Sequence, residues 1–255
     1  MGLNKNKKIV LITGATSGIG EASALLLSSY CSLIICGRRD DKLKKLEQFL
    51  SKKTEVISLC FDVRDKKILK GQIYSLDSKW KKIDILINSA GNAHGFDLIH
   101  EGNTDDWDSM IDINVKGLLY VSKIIIPLMV KRKSGMIINI GSIAGKEVYA
   151  KGNVYCASKY AVDAISQGMR LDLNNFNIKV TSINPGLVET EFAMVRFKND
   201  VEKAKNVYKG MSPLKAIDIA EIIDFIIRRP DNICISDITI LPKSQASSTI
   251  VKRDN

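Results

Sequence analysis

The amino-acid sequence predicts an α/β fold, a single doubly wound parallel sheet of seven strands with helices on both faces. Seven short apolar runs, several of them continuous and rich in isoleucine and valine, are typical of strands covered on both faces. Six helical patterns alternate with these runs at nearly regular spacing. Alternating strands and helices with right-handed crossovers build such a sheet. The 255 residues suit one domain, 1–255.

Each element follows from its local pattern. The apolar runs, beginning with KIVLIT, predict strands at 8–13, 32–37, 55–61, 83–89, 135–141, 178–184 and 233–240. Helical periodicity predicts helices near 18–29, 40–51, 65–79, 104–132, 152–175 and 216–229. The fourth helix should break or bend near Pro127, because proline lacks the N–H that a helix interior uses. The last fifteen residues, 241–255, are predicted to form an extended tail.

Composition and charge limit the classes of partner. The chain is 45% hydrophobic and 26% charged, which is ordinary for a soluble globular protein. Its net charge of +10 comes mostly from scattered lysines, without a long basic run and without interleaved aromatic residues. This pattern argues against nucleic acid as a partner. A generally positive field instead attracts anionic small molecules.

Cysteine usage and apolar segments predict a cytoplasmic protein without a membrane partner. The five cysteines lack C-x-x-C spacing, which suits thiols in a reducing compartment better than disulfides or a zinc site. With only two histidines, no metal site is predicted. The basic N-terminus precedes an apolar run too short for a signal peptide. Segment 118–130 is interrupted by polar residues and is too short to span a bilayer.

A glycine-rich turn follows the first predicted strand. In TGATSGIG, Gly14, Gly18 and Gly20 stand where the strand should pass into a helix. Glycines there permit a tight turn and let backbone N–H groups and the helix N-terminus approach a pyrophosphate. The spacing differs from the general G-x-G-x-x-G fingerprint, so a turn that serves only tight contacts is the alternative. The position between a strand and a helix favours dinucleotide binding.

The end of the second strand, CGRRD, bears on the choice of dinucleotide. An NAD site usually has an acidic residue at this point to bind the ribose 2′-hydroxyl, whereas arginine accommodates the 2′-phosphate of NADP. This chain offers Arg38 and Arg39, and its carboxylates, Asp40 and Asp41, come later. NADP is therefore the predicted cofactor. The alternative is two solvated arginines at a strand end.

A phenol and an ammonium stand one helical turn apart in YCASK. Tyr155 and Lys159, at i and i+4, project from one face of the predicted helix. A nearby ammonium favours the phenolate, so the pKa of Tyr155 should fall below its usual value of about 10. The phenol would then be a usable acid/base near neutral pH. Taken alone, the pair is more typical of a surface tyrosine and lysine on an amphipathic helix.

Five segments together resemble one family along essentially the whole chain. TGATSGIG, NSAG (88–91), IGSIAG (140–145), YCASK (155–159) and INPGLVETEF (183–192), in this order, are similar to the short-chain dehydrogenase/reductase family. Ser142 also lies thirteen residues before Tyr155, a separation typical of that family. The resemblance implies a Rossmann fold and an oxidoreductase acting on a CH–OH group.

The resemblance also implies four catalytic roles. Tyr155 would be the general acid/base for the substrate oxygen, and Ser142 would hydrogen-bond that oxygen. Lys159 would lower the pKa of Tyr155 and bind the nicotinamide ribose, and Asn114 would position Lys159 through water. General chemistry agrees, because hydride transfer needs a proton handled in step and a preorganised donor for the charge on oxygen.

By the same resemblance, NADP would lie along a groove. Its expected contacts are Gly14, Thr16, Ser17, Gly18, Ile19, Gly20, Arg38, Arg39, Asp62, Val63, Asn88, Ala90, Gly91, Tyr155, Lys159, Pro185, Gly186, Val188 and Thr190. The pair at 62–63 would flank the adenine, 88–91 would line the channel and 185–190 would wrap the nicotinamide end. Ser89 departs from the second asparagine more usual in the family, and a small effect on local packing is expected.

The later segments resemble one subgroup, the NADP-dependent 3-hydroxy acid dehydrogenases. AHGFDLIHEGNTDDWDSMIDINVKGLL, VETEFAMVRFKND and ITILPKSQAS carry this likeness. It implies a small substrate of the serine, L-allo-threonine, 3-hydroxyisobutyrate or malonic semialdehyde type, and a homotetramer. Two alternatives stay open, an NADPH-dependent 3-oxoacyl-carrier-protein reductase and a catalytically silent NADP-binding regulator. The intact tetrad argues against the regulator.

A small acid also needs a partner for its carboxylate. A guanidinium binds a carboxylate with two parallel hydrogen bonds, which fix direction as well as distance. Arg196 follows the substrate loop by a few residues and is the candidate, so the expected substrate contacts are Ser142, Tyr155 and Arg196. The alternative is an arginine that only holds the loop or a subunit contact.

Overall fold

The computed structural model describes residues 7–254, and its main sheet has the predicted architecture. The strands are β1 (Ile9–Thr13), β2 (Ser32–Gly37), β3 (Val56–Cys60), β4 (Ile85–Asn88), β5 (Gly135–Ile140), β6 (Ile178–Pro185), β7 (Val188–Glu189), β8 (Leu214–Lys215) and β9 (Asp237–Ile240). Seven of them form one parallel sheet in the order β3-β2-β1-β4-β5-β6-β9. The short pair β7 and β8 forms a second sheet. The predicted seven-stranded parallel sheet is confirmed.

Helices connect the strands on both faces. They are α1 (Gly18–Leu27), α2 (Asp40–Leu50), α3 (Lys66–Ser75), α4 (Thr104–Ile111), α5 (Leu118–Arg132), α6 (Asn153–Leu173), α7 (Phe192–Arg196), α8 (Val201–Asn206) and α9 (Ala216–Ile227). A π-helical stretch, Asp112–Gly117, joins α4 to α5. The long helix is therefore interrupted there, whereas α5 runs through Pro127 without a break. The prediction of a break at Pro127 is therefore wrong, since α5 continues past the residue that lacks the N–H.

Two hydrophobic cores explain why the strands are apolar throughout. Val10 and Ile12 face one core, which α1, α2 and α9 cover, and Ile9 and Leu11 face the other, which α3, α5 and α6 cover. Successive strand residues point to opposite faces. A strand between two helical layers must therefore be apolar at both, which gives the continuous runs seen in the sequence.

The helical stretch from Thr104 to Arg132 is apolar and long enough to cross a membrane by length and composition alone. In the structure one side of this stretch belongs to the core. Val121, Ile125 and Met129 are fully buried against the sheet. The same composition is expected of a core helix in a soluble protein.

A ladder of polar side chains crosses the buried interface of the sheet with α5 and α6. Asn88 on β4 donates its amide to Ser122 Oγ at 3.1 Å and to Asn139 Oδ1 at 2.9 Å. Asn139 on β5 donates in turn to Ser166 Oγ on α6, at 2.9 Å. All four residues are at most 4% exposed. These hydrogen bonds satisfy groups that would otherwise be costly to bury.

The end of the chain does not form the extended tail predicted for 241–255. Through residue 254, the last of them described, it folds back on itself, with Gln245 bridged to Val251. Gln245 is 5% exposed, and its Oε1 accepts a hydrogen bond from Leu187 N at 2.8 Å. Farther on, the N–H of Asp254 donates to Gly210 O at 2.7 Å. This arm was missed because its bonds join segments far apart in sequence.

Candidate active site

A cavity of about 860 Å³ opens at the carboxyl ends of the parallel strands. It lies where the strand order reverses, between β1 and β4, which is where open α/β sheets usually bind ligands. Residues from the predicted site make up much of its wall. They are Gly14, Thr16, Ser17, Gly18, Ile19, Arg38, Arg39, Asp62, Val63, Ala90, Gly91, Ser142, Tyr155, Lys159, Pro185, Gly186, Val188, Thr190 and Arg196.

Three predicted site residues lie behind the wall instead. Gly20 is buried in α1, where an added Cβ would stand 2.4 Å from Gly14 O, so this glycine permits close helix–strand contact. The amide of Asn88 is used in the polar ladder and does not line the channel. Asn114 is 2% exposed and lies in the second layer. Motifs identify such residues without showing which side of the wall they occupy.

The glycine loop has the shape that a phosphate cradle needs. Gly14 and Gly18 have φ values of +69° and +53°, in the left-handed region that favours glycine. A Cβ on Gly14 would also lie 2.9 Å from the backbone of Ala90. Ser17, the N-cap of α1, makes no side-chain capping bond. The N–H groups at this helix start therefore face the cavity without a protein cap.

Two arginines lie at the far end of the groove. Arg39 donates from Nη2 to Thr16 O at 2.9 Å, and its Nη1 lies 2.7 Å from Glu191 Oε2. Lys42 Nζ, 2.8 Å from Glu191 Oε1, shares the same carboxylate. Arg38 is more exposed and lies 3.5 Å from Asp62 Oδ2. The substrate loop thus reaches back to the predicted 2′-phosphate site, a contact that the sequence did not indicate.

Tyr155, Ser142 and Lys159 converge at the opposite end. Tyr155 is 8% exposed in the first turns of α6, and its ring packs against Phe192 with centroids 5.6 Å apart. Ser142, the residue before a short 3-10 turn, accepts a hydrogen bond from Ala144 N at 3.1 Å, which fixes its hydroxyl. Lys159 Nζ lies 6.0 Å from the Tyr155 ring centroid. The motif residues therefore form one polar group on the cavity wall.

The pKa of Tyr155 corrects one prediction. Burial raises the pKa of this phenol well above the usual value, and the hydrogen bond from Ser142 and the charge of Arg196 lower it only in part. Lys159 is not among the main causes of this pKa. Burial lowers the pKa of its own ammonium to about 8, and its Nζ donates to Ile140 O at 2.9 Å. The prediction that Lys159 sets a low pKa for Tyr155 is wrong for the site formed by the chain alone.

Asn114 occupies the π-helical stretch beside Lys159. Its Oδ1 accepts from Asn92 N at 2.8 Å, and its Nδ2 donates to Asn92 O at 2.8 Å and to Ser158 Oγ at 3.0 Å. A Cβ on Gly91 would lie 3.1 Å from Asn114 Oδ1 and 3.6 Å from Lys159 Nζ. Short π-helical segments often occur at functional sites. Here the segment fixes the asparagine against the loop that carries Gly91.

Arg196, at the end of α7, lies among aromatic rings at the mouth of the catalytic group. Its guanidinium carbon is 4.9 Å from the Phe96 ring centroid, 5.4 Å from that of Tyr149 and 5.5 Å from that of Tyr155. Arg196 Nε donates to Gly95 O at 3.2 Å and Nη1 donates to Tyr149 OH at 2.7 Å. The structure thus brings Arg196 next to Tyr155, although the two residues are far apart in sequence.

Several wall residues were not identified from the sequence. They are Asn92, Phe96, Tyr149, Glu191, Phe192 and, from the C-terminal arm, Gln245, Ser248, Thr249, Val251 and Arg253. Glu191 and Phe192 directly follow a motif and could have been included by position. Nothing in local spacing marks Phe96 or Tyr149, which join the site only through the fold.

The family comparison decides what this arrangement represents. The model of the family described as short chain dehydrogenase matches residues 8–201. The chain belongs to this family. The resemblance drawn from the five motifs is therefore confirmed, and this short-chain dehydrogenase is an oxidoreductase acting on a CH–OH group.

Individual relatives of this short-chain dehydrogenase agree with the subgroup resemblance. A Schizosaccharomyces pombe protein named NADP-dependent 3-hydroxy acid dehydrogenase is 40% identical over 250 residues, 96% of each chain. Sulfoacetaldehyde reductase 2 of Chromohalobacter salexigens is 36% identical over 249 residues, 96% of this chain and 99% of the relative. The closed form of a serine dehydrogenase complexed with NADP⁺ superposes with a TM-score of 0.91 at 38% identity, covering 97% of this chain and 100% of the other.

Proposed function

We propose that this short-chain dehydrogenase transfers a hydride between NADP(H) and a small 3-hydroxy or 3-oxo acid. The observation that carries the proposal is the guanidinium of Arg196, 5.5 Å from the Tyr155 ring centroid on the cavity wall. It offers a carboxylate partner a short distance from the acid/base phenol. Relatives named for NADP, 3-hydroxy acids and serine support the same substrate class.

The described residues fit a dinucleotide with a 2′-phosphate. The glycine cradle and the free N–H groups at the start of α1 suit a pyrophosphate. Arg39 and Arg38 would hold the 2′-phosphate, for which Glu191 is the competing anion at Arg39. Asn92 Oδ1 is a buried polar atom in the wall without a hydrogen-bond partner among residues 7–254. Such an unpaired acceptor in the wall offers a hydrogen bond to a polar ligand.

Each catalytic residue would have a separate role. Bound NADP(H) would supply the hydride chemistry at the carbinol carbon of the substrate. The Ser142 hydroxyl and the Tyr155 phenol would hold the substrate oxygen, and Tyr155 would take its proton during oxidation and return it during reduction. Asn114 would position Lys159, and Lys159 would bind the nicotinamide ribose next to this oxygen. Arg196 would hold the carboxylate and so present the carbinol carbon in one direction.

The protonation state of Tyr155 favours one direction at neutral pH. Because burial raises the pKa of the phenol, Tyr155 keeps its proton there. A protonated phenol is the form needed to reduce a 3-oxo acid, since the carbonyl oxygen gains a proton. Oxidation of the hydroxy acid needs the phenolate, so alkaline conditions should favour it.

A substrate panel tests this function. Serine, L-allo-threonine and 3-hydroxyisobutyrate would be offered with NADP⁺ and NAD⁺, and malonic semialdehyde, sulfoacetaldehyde and a 3-oxoacyl thioester with NADPH. We expect turnover of the small acids with NADP(H). Turnover confined to the thioester would indicate a 3-oxoacyl-carrier-protein reductase instead. No turnover with any substrate would favour a silent NADP-binding regulator.

The carboxylate partner is tested by Arg196→Met. KM for serine should rise about 100-fold, since a charge-assisted bidentate pair contributes about 3 kcal/mol, whereas NADP⁺ affinity should be retained. KM for serine methyl ester, which lacks the carboxylate, should rise much less. Arg229→Met is the matched control, because that guanidinium also stacks on a ring, 4.0 Å from the Phe225 centroid, outside the cavity. Equal losses for acid and ester would remove Arg196 from substrate binding.

We further propose that the chain forms a single domain over 1–255, acts in the cytoplasm without a membrane partner and assembles as a homotetramer. Leu119 and Leu171 leave apolar surface exposed on α5 and α6, and Ile217 does so on α9. A tetramer with two-fold axes needs two such surfaces. Light scattering after size exclusion would give a mass of four chains. A monomer at micromolar concentration would contradict the assembly.

A further inference from the structure

Tyr149 is held rigidly in the cavity wall, although no motif includes it. It lies between the 3-10 turn after Ser142 and the start of α6. A Cβ on Gly152 would stand only 2.0 Å from Tyr149 Cε2, so the ring lies directly on a position where only glycine fits. The Phe96 ring, with its centroid 6.4 Å away, supports the ring further. The phenol is therefore fixed in place before any ligand arrives.

The hydroxyl group of Tyr149 has a proton to give. Its oxygen accepts the hydrogen bond from Arg196 Nη1 at 2.7 Å. A phenol can also donate one hydrogen bond, and the part of the chain that the structure describes supplies no acceptor for it. Burial raises the pKa of Tyr149, so this proton is retained at neutral pH.

Arg196 also has hydrogen-bond donors left. A guanidinium carries five N–H groups. Nε–H is used by Gly95 O and one Nη1–H by Tyr149, and the Gly95 N–H bonds back to Arg196 O at 3.0 Å. The remaining N–H groups make no bond to any residue from 7 to 254. Because Arg196 and Tyr149 are bonded to each other, their spare donors lie close together.

A short acid can use both donors at once. A carboxylate has two oxygens, so one can accept from the guanidinium while the other accepts from the phenol. In a 3-hydroxy acid the carboxylate carbon is two bonds from the carbinol carbon. The guanidinium lies 5.5 Å from the ring centroid of Tyr155, a separation that suits a substrate of this length.

We propose that Tyr149 is a second hydrogen-bond donor to the substrate carboxylate and the residue that orients Arg196 toward it. The proposal rests on the proposed function, because it requires an acid substrate. It assigns specificity for short acids to two residues that the chain brings together from α7 and from the loop before α6. Tyr149 would touch the substrate but take no part in the proton transfer at the carbinol oxygen.

The variant Tyr149→Phe keeps the ring and removes the hydroxyl. We expect kcat/KM for serine to fall about 10- to 100-fold, mostly through KM, while serine methyl ester changes less than threefold. The Kd of NADPH, measured by fluorescence titration, should stay unchanged. Tyr160→Phe is the matched control, because that phenol on α6 donates to Lys146 O and does not line the cavity. The control should leave all three quantities unchanged.

A double variant separates this role from a general effect on folding. In an Arg196→Met background, Tyr149→Phe should lower kcat/KM for serine by a smaller factor than in the native protein, because its effect through the orientation of Arg196 is already gone. Equal losses for acid and ester, a loss mainly in kcat, or a full additional loss in the double variant would each overturn the proposal.

The failure of the proposed function would look different from the failure of this inference. A wild-type protein that reduces thioesters but ignores small 3-hydroxy acids would refute the function and, with it, the carboxylate site. A wild-type protein that oxidises serine, combined with a Tyr149→Phe variant of unchanged kinetics, would refute the role of Tyr149 alone.

Discussion

Replacing Lys159 with methionine should make the ligand-free protein more stable while removing its activity. Lys159 is 7% exposed, and burial lowers the pKa of its ammonium from 10.5 to about 8. At pH 7 the folded protein therefore holds a charge that would be better solvated in the unfolded chain. Methionine has a similar unbranched shape and carries no charge.

The magnitude follows from the size of this pKa change. A difference of about 2.5 units corresponds to about 3 kcal/mol, since each unit is about 1.4 kcal/mol. The variant also loses the hydrogen bond from Lys159 Nζ to Ile140 O, which contributes about 1 kcal/mol. The free energy of unfolding at pH 7 should therefore rise by about 2 kcal/mol.

The stabilisation by Lys159→Met should depend on pH. Between pH 8 and 10.5 the unfolded state binds more protons at this lysine than the folded state, so the stability of the native sequence rises with pH there. The advantage of Lys159→Met is thus complete below pH 8 and shrinks toward pH 10.5. Urea unfolding at pH 7 and at pH 10 measures both values.

Lys123→Met is the control for this experiment. Lys123 is an exposed lysine on α5, so its replacement should change stability by less than about 0.5 kcal/mol at either pH. A Lys159→Met variant that is less stable than the native protein at pH 7 would refute the reasoning. So would a stabilisation of the same size at pH 7 and pH 10.

Three further predictions concern the two ends of the groove. Tyr155→Phe should lower turnover by about 10²-fold or more in initial-rate assays while NADPH still binds, because only the ionisable oxygen is lost. Replacing Arg38 and Arg39 together by serine should erode the preference for NADPH over NADH about tenfold or more, measured as the ratio of kcat/KM values. Gly152→Ala should raise KM for serine, since its Cβ would lie 2.0 Å from the Tyr149 ring and must displace it.

Each of these has an outcome that contradicts it. Turnover within a few-fold of the native rate in Tyr155→Phe would remove the acid/base assignment. A native protein that already prefers NADH would show that the strand-end arginines have been misinterpreted. A Gly152→Ala variant with unchanged KM would mean that the Tyr149 ring can move without affecting the substrate site.

The sheet and the catalytic group could be predicted because their signals are local. Residues 9–12 are apolar at consecutive positions, and a strand buried on both faces needs that pattern whatever else surrounds it. Tyr155 and Lys159 lie one turn apart, so their proximity follows from helical geometry alone. Such inferences need no knowledge of distant segments.

The errors arose where distant segments meet. Asn88 belongs to a motif, but the neighbouring strand and helix decide that its amide points into the ladder. Tyr149 lines the site because its ring packs on Gly152 and its hydroxyl accepts a hydrogen bond from Arg196 of α7. The pKa of Tyr155 was predicted in the wrong direction because burial, a property of the whole fold, outweighs the neighbouring charge.

The polar ladder fixes the register of α5 and α6 against the sheet. Its members are Asn88, Ser122, Asn139 and Ser166. If α5 or α6 slid by one residue along the sheet, these amide and hydroxyl groups would lose their partners, at about 1–3 kcal/mol each. Apolar side chains in the same places would tolerate several such slipped arrangements. Removing the ladder should therefore loosen the alignment of α6, and with it the spacing between Tyr155 and Ser142, even where total stability is preserved.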